Sequence, residues 1–198
     1  MRKYFLLPVL FILMCSALQA QKIAVVVNYV TSNGPTDNST IFYDGKTKLV
    51  WDDFQGKPDN SVDFAALTSS GSGFNMAFQS VNNVQTMTID VYCYYSKPQS
   101  WVKQDKKTDY LLNHEQHHFD LTYIYTQRFI KKLREADFTM KNYQKLIGNI
   151  YEDVEKELNA EQTKYDDETH HSIIKDKQEE WNKKIEDELA ALKDNNQP

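Results

Sequence analysis

Cysteine is almost absent from this 198-residue sequence, which carries only Cys15 and Cys93. Cys15 ends an N-terminal apolar run. Once that run is removed, Cys93 stands alone, which excludes an internal disulfide and leaves a small buried hydrophobe, the preferred reading, or an intermolecular partner at that position. Long hydrophobic stretches are lacking too. The one apolar run, Tyr4 to Met14, is too short to span a bilayer, and no later segment is apolar enough to try, so no transmembrane segment is expected. No Lys/Arg-rich run interleaved with aromatics occurs, so nothing points to nucleic acid as a partner. No internal repeat is found.

The first twenty residues read as a targeting segment. Arg2 and Lys3 form a basic start, Tyr4 to Met14 the apolar part, and Ser16 to Ala20 a small-residue region with cleavage expected after Ala20. Lipidation of Cys15 is the competing reading, and Met14 disfavours it, because that position normally takes a small residue. The expected mature protein, 21–198, is exported, to the periplasm or the exterior, and soluble. Losing Arg2 and Lys3 takes the formal charge from -5 to -7. Acidity of this size reads as solubility.

The mature chain reads as one domain, β-rich over 21–97 and helical over 105–193. Ile23 to Val27 is β-branched and apolar. Tyr43 to Lys46 carries a turn signal between Thr40–Phe42 and Lys48–Trp51, a predicted hairpin. Lys57 to Asn60 and Ser69 to Gly73 read as loops. The best strand is Thr86 to Tyr95, where Met87, Ile89, Val91, Cys93 and Tyr95 alternate with polar or amphipathic residues and form an inward face. After Pro98 the period lengthens. A first helix is predicted from a cap at Asp105 or Thr108 to about Glu135, with Leu111, His114, His118, Leu121 and Tyr125 in one stripe. A second runs from about Met140 to Lys164 and a third from about Ile174 to Leu192, whose stripe holds Ile174, Gln178, Trp181, Ile185 and Leu189. Tyr165 to Ser172 is assigned to the loop between them.

Within the first helix lies His114-Glu115-Gln116-His117-His118, an H-E-x-x-H pattern expected by chance in about one chain in a hundred of this kind. One helical turn separates His114 and His118, so each can give a nitrogen to one tetrahedral metal, and Glu115 flanks them as a general base. Two histidines satisfied by ordinary hydrogen bonds in an apolar stripe is the plainer account. It leaves the cost of Glu115 beside them unexplained. His117 points away from where the pair converges.

A hydrolytic zinc site needs a third protein ligand and an open position. The nearby metzincin continuation is excluded, because Leu121 and Ile124 stand where it needs Gly and His. Glu152 or Glu155 on the next helix, or His170 or His171 in the interhelical loop, remain as candidates. Asp120 and Asp166 are candidates to orient a ligating imidazole from behind. Tyr165 is a candidate to help stabilise an oxyanion. By analogy with other zincins, substrate would lie extended along an edge strand, for which Thr86 to Tyr95 is the choice.

Leu112 to Asp120 resembles the L-x-H-E-Q-x-H-F-D segment of the bacterial domain of unknown function 922, a family of exported proteins regarded as zinc-dependent proteases. Three more segments match in order. Trp51-Asp52-Asp53-Phe54-Gln55-Gly56 is similar to W-x-D-F-x-G, Ser100-Trp101-Val102 precedes the motif helix, and Tyr165 to His171 resembles Y-D-x-x-T-x-H. The resemblance spans about Leu49 to Trp181 and implies His171 as the third ligand, although Ser172 stands where relatives often carry Gly.

The fold expected is α+β and zincin-like, with a small, mainly antiparallel sheet packed on the motif helix and a long helical pair following. The function expected is an exported zinc metallopeptidase acting on a peptide or protein substrate, with Zn2+ on His114, His118 and His171 and Glu115 as base. A cell-envelope binding protein whose zinc is only structural is the alternative.

Overall fold

The computed structural model describes residues 23–32, 38–82 and 84–195. The expected targeting segment, 1–20, lies outside them. The architecture is α+β, a sheet from the first half followed by three helices.

The central strand is β5 (Val84–Ser96), and the alternation in its sequence places it there. Met87, Ile89, Val91, Cys93 and Tyr95 all point to one face and are fully buried, so Cys93 is the buried small hydrophobe its isolation predicted. β4 (Ser70–Val81) pairs antiparallel along one side of β5. On the other side β1 (Ala24–Tyr29) pairs parallel with Thr86 to Val91, and β2 (Thr40–Phe42) antiparallel with Tyr94 to Ser96. With both sides paired, β5 is not an edge strand. β4 is, and alternation alone cannot tell the two apart.

Two other expectations fail locally. Ser70 to Gly73 belong to β4 instead of a loop. Their glycines make room for aromatic rings on β5, since a Cβ on Gly73 would lie 2.4 Å from Tyr92 Cζ. Lys48 to Val50 forms no strand against β2, because the Leu49 N–H donates instead to Gln116 Oε1 at 2.8 Å and ties this segment to the first helix. The turn before it stands. Asp44 Oδ1 accepts from the N–H of Lys46 and Thr47, and Gly45 takes φ 76°.

A short ribbon, β3 (Ala66–Leu67) with β6 (Trp101–Val102), adjoins the sheet. Gly56 of the W-x-D-F-x-G segment packs its backbone on the approach to β6. Its N–H donates to Ser100 O at 2.7 Å, and a Cβ there would meet the carbonyls of Pro98 and Ser100 inside 3.0 Å.

α1 (Asp109–Glu135) lies on the buried face of β5. Every residue from His114 to Thr122 is buried, so α1 is enclosed by the sheet, by α2 (Tyr143–Thr169), by α3 (Lys175–Asn195) and by the Tyr43–Phe54 segment. Leu121, Ile124, Phe129 and Ile130 of α1 share one core with Met87, Ile89 and Val91, and with Ile147, Val154 and Leu158 of α2 and Trp181 and Ile185 of α3. Each such side chain contributes about 1.5–3 kcal/mol by leaving water. Ile174, expected in the α3 stripe, precedes the helix and is exposed. Among the described residues no helix is long and apolar enough to cross a membrane.

Candidate metal centre

α1 sets the motif in place. Thr108 caps it, its hydroxyl accepting from Leu111 N–H at 3.1 Å, and the helix runs unbroken through His114 and His118. Their Nε2 atoms lie 3.2 Å apart. α2 runs back antiparallel and brings Asp166 to them. Asp166 Oδ1 lies 3.1 Å from His114 Nε2 and 3.0 Å from His118 Nε2. His171, in the turn after α2, places Nδ1 3.3 Å from the same oxygen.

The outward-facing nitrogens determine where the protons are. His114 Nδ1 meets Gln178 Oε1 at 2.9 Å, and His118 Nδ1 meets Gln162 Oε1. Gln162 cannot be turned round without setting its oxygen against the His118 carbonyl, and Gln178 keeps its orientation while the Tyr165 hydroxyl donates to His114 O. Gln162 Nε2 donates to His118 O at 3.0 Å, and Gln178 Nε2 donates to the Tyr165 hydroxyl at 2.6 Å and Asn182 Oδ1 at 2.7 Å. Amide oxygens only accept, so both Nδ1 atoms carry hydrogen and each Nε2 of a neutral ring presents a bare lone pair. Two lone pairs and a carboxylate oxygen thus face one another about 3 Å apart, which is repulsive unless a cation lies among them.

Protonation answers this only in part. Burial lowers the basicity of His118, yet the hydrogen bond and charge of Asp166 outweigh it and push the imidazole up to about 9. Burial also works to raise Asp166, and the bonds from His114 and His118 prevail, holding the carboxyl far below the usual carboxylate range. Both shifts express one demand for positive charge. A second proton, on His114, would set two imidazolium N–H groups against each other at 3.2 Å.

A single metal ion fits without that conflict. Donors bound at ~2.0–2.1 Å to a tetrahedral zinc stand about 3.3 Å from one another. The edges of the His114, His118, Asp166 triangle measure 3.0 to 3.2 Å. His114, Asp166 and His171 also form a group whose donor atoms all lie within 4.8 Å of one another.

The rest of the motif divides between two sides of α1. Glu115 lines the same cleft, about 260 Å³ in volume, as His114, His118, Asp166 and His171, and its Oε2 accepts from the Thr68 hydroxyl at 2.7 Å. Gln116, His117 and Asp120 face the other way. His117 Nδ1 lies 3.0 Å from Asp120 Oδ2, while Asp120 Oδ1 accepts from Tyr43 OH at 2.8 Å and Gln116 Nε2 at 2.9 Å. Asp120 therefore orients His117 and tethers Tyr43. It does not touch a motif ligand.

Three further expectations change. α2 continues to Thr169, so Asp166 stands on a helix instead of a loop, and its oxygen meets the Nε2 atoms directly instead of supporting a ring from behind. Tyr165 is fully buried and its hydroxyl is occupied. It donates to His114 O at 3.3 Å and accepts from Gln178, so it faces no oxyanion; its ring stacks on His114 with centroids 4.5 Å apart. His170 and Glu152 are exposed and lie outside the donor cluster.

His171 reaches the site through a strained turn. His170, His171 and Ser172 have φ of 48°, 50° and 71°, a left-handed run that costs L-residues roughly 1–2 kcal/mol each. Backbone bonds hold it, His171 N–H to Asp166 O at 3.0 Å and Ile174 N–H to Thr169 O at 2.8 Å. Phe64 stacks on the His171 ring at 5.3 Å. A glycine at the Ser172 position would suit this backbone.

Sequence reasoning missed Asp166 as a donor, and Gln162, Gln178 and Thr68 as residues of the site. A signal existed. Gln162 and Asp166 repeat on α2 the four-residue spacing of His114 and His118 on α1, but it carries meaning only once the helices are known to pair antiparallel.

The chain belongs to the family described as bacterial protein of unknown function (DUF922), which matches residues 21–172. No curated protein and no solved structure matches it.

Proposed function

We propose that the protein is a zinc-dependent metallopeptidase of the cell exterior or periplasm, exported through the segment 1–20. The observation that supports this most is the convergence of His114 Nε2, His118 Nε2, Asp166 Oδ1 and His171 Nδ1 in a cleft that also holds Glu115. In this reading His114, His118 and Asp166 hold the zinc, and His171 is the outermost donor. Bound zinc supplies a Lewis acid that lowers the pKa of water and polarises a carbonyl.

The chain's own residues do the remainder. Gln178 and Gln162 fix the rings of His114 and His118 so that Nε2 faces the cleft. Glu115, 3% exposed, takes a proton from the attacking water and returns it to the leaving nitrogen, while the Thr68 hydroxyl holds its carboxylate in one rotamer. By analogy with other zincins an extended substrate pairs with an edge strand, and the edge here is the outer side of β4, whose Ser70 lines the cleft. His171, at 43% side-chain exposure, is the most exposed of the four donors and would be the one to leave room for a substrate carbonyl beside the zinc.

One observation favours the alternative, a non-catalytic envelope protein stabilised by zinc. Four protein donors are enough to close a tetrahedral site, as in structural zinc centres. The two readings separate on Glu115→Gln. A peptidase keeps its zinc and loses cleavage of casein or a peptide library by about 100-fold or more. Zinc-loaded wild type that cleaves nothing across such a library overturns the peptidase reading. Purified protein without stoichiometric zinc overturns both.

A further inference from the structure

Glu155 lies in the wall of the same cleft, and the mechanism above does not use it. α2 runs without interruption from Tyr143 to Thr169, so the eleven-residue step from Glu155 to Asp166 makes close to three whole turns. Both side chains therefore leave the same face of the helix, about 16 Å apart along its axis. Oε1 of Glu155 is buried and accepts no hydrogen bond from the described residues. Burial pushes its carboxyl up, and no cation opposes the shift. A buried carboxylate oxygen without a partner is costly to keep in a fold, and it is satisfied best by a positive group brought from outside.

The opposite wall shows how such a group would arrive. β5 occupies one side of β4, and the Ser72 carbonyl points to the other, where the Tyr151 hydroxyl donates to it at 3.1 Å. By strand alternation Ser70 presents its backbone to that same outer edge, beside the cleft. An extended chain along this edge passes the donor cluster at one end and Glu155 at the other. At ~3.3 Å per residue, 16 Å corresponds to about five residues, and the reach of two long side chains reduces this to three at the least.

We infer that Glu155 is a specificity determinant that binds a cationic group, ammonium or guanidinium, carried about three to five residues from the scissile bond of an extended peptide. The position relative to a scissile bond rests on the peptidase reading, whereas the recognition of the cation does not. The cation is supplied by a Lys or Arg side chain or by a free amino terminus.

The test is peptide binding, followed by fluorescence anisotropy, to zinc-loaded protein carrying Glu115→Gln so that nothing is consumed. The probes are acetylated octapeptides with one lysine moved along the chain, the all-norleucine parent, and that parent with a free amino terminus. At one position lysine should bind about tenfold tighter than norleucine, and adding Glu155→Gln should erase the difference. Tighter binding of the free-amine parent instead assigns the cation to the amino terminus. Equal binding of all probes, a preference that survives Glu155→Gln, or no binding overturns the inference. The lysine-to-norleucine ratio is read without the variant, so misfolding of Glu155→Gln cannot hide the answer. Cleavage of every probe by wild type without preference sinks Glu155 and leaves the peptidase standing. Lysine-dependent binding without any cleavage does the reverse.

Discussion

Asp166 Oδ1 stands 3.0 Å from His118 Nε2, across 48 residues of sequence. That contact joins the last turns of α2 to the motif on α1 and puts a negative charge where the lone pairs of His114 and His118 already converge. Asp166→Asn keeps the shape and removes the charge, so zinc affinity should fall at least ~100-fold in competition with a chromophoric chelator. His171→Ala, removing the outermost and most exposed donor, should cost about tenfold. Wild-type affinity in Asp166→Asn would remove Asp166 from the donor set.

Gln178 is fully buried and connects His114 Nδ1 to Tyr165 and Asn182. Gln178→Leu should weaken zinc binding about 10–100-fold by releasing the His114 ring. It should also cost the metal-free protein about 1–3 kcal/mol through the buried groups left unsatisfied. Gln178→Glu keeps the acceptor towards His114 and should recover most of the zinc affinity, which a purely structural glutamine would not do.

Glu155 makes stability depend on pH in a direction that can be checked. Its folded pKa is raised above the unfolded value by burial. Between the two values the folded state holds the proton more tightly, so stability falls as pH rises through that window. Glu155→Gln should therefore melt higher than wild type at pH 7 to 8, and the gap should close as pH falls towards the unfolded carboxyl range. A constant difference across pH would show that the buried carboxylate is not its cause.

Ser172 has φ 71° at the end of three left-handed residues. Ser172→Gly removes a steric cost of roughly 1–2 kcal/mol and adds chain entropy to the unfolded state, for an expected net gain of about 0.5–1 kcal/mol in chemical denaturation. His171 Nδ1 should keep its place, so zinc affinity should be unchanged.

Much of the fold was legible because its cues are local. The alternation from Met87 to Tyr95 identified the central buried strand, and Thr108 with the stripe from Leu111 to Tyr125 identified α1 and its cap. The failures share a cause. Lys48 to Trp51 was read as a strand because nothing in its neighbourhood announces that Gln116, 67 residues after Leu49, takes the Leu49 N–H. Ser70 to Gly73 was read as a loop because the rings of Tyr92 and Tyr94 that cover its glycines lie on another strand.

The sequence by itself determined two imidazoles and a carboxylate on one helix, since a four-residue spacing is converted to a shared face by helical geometry alone. It also brought His171 into consideration through a short segment. Only the tertiary structure decided what completes the site. The antiparallel return of α2 sets Asp166 against His118 and Gln162 behind it, α3 sets Gln178 behind His114, and β4 supplies the sheet edge beside the cleft. Each of these is a contact between segments whose separation carries no periodicity, so packing of the core, not pattern along the chain, selects the partners.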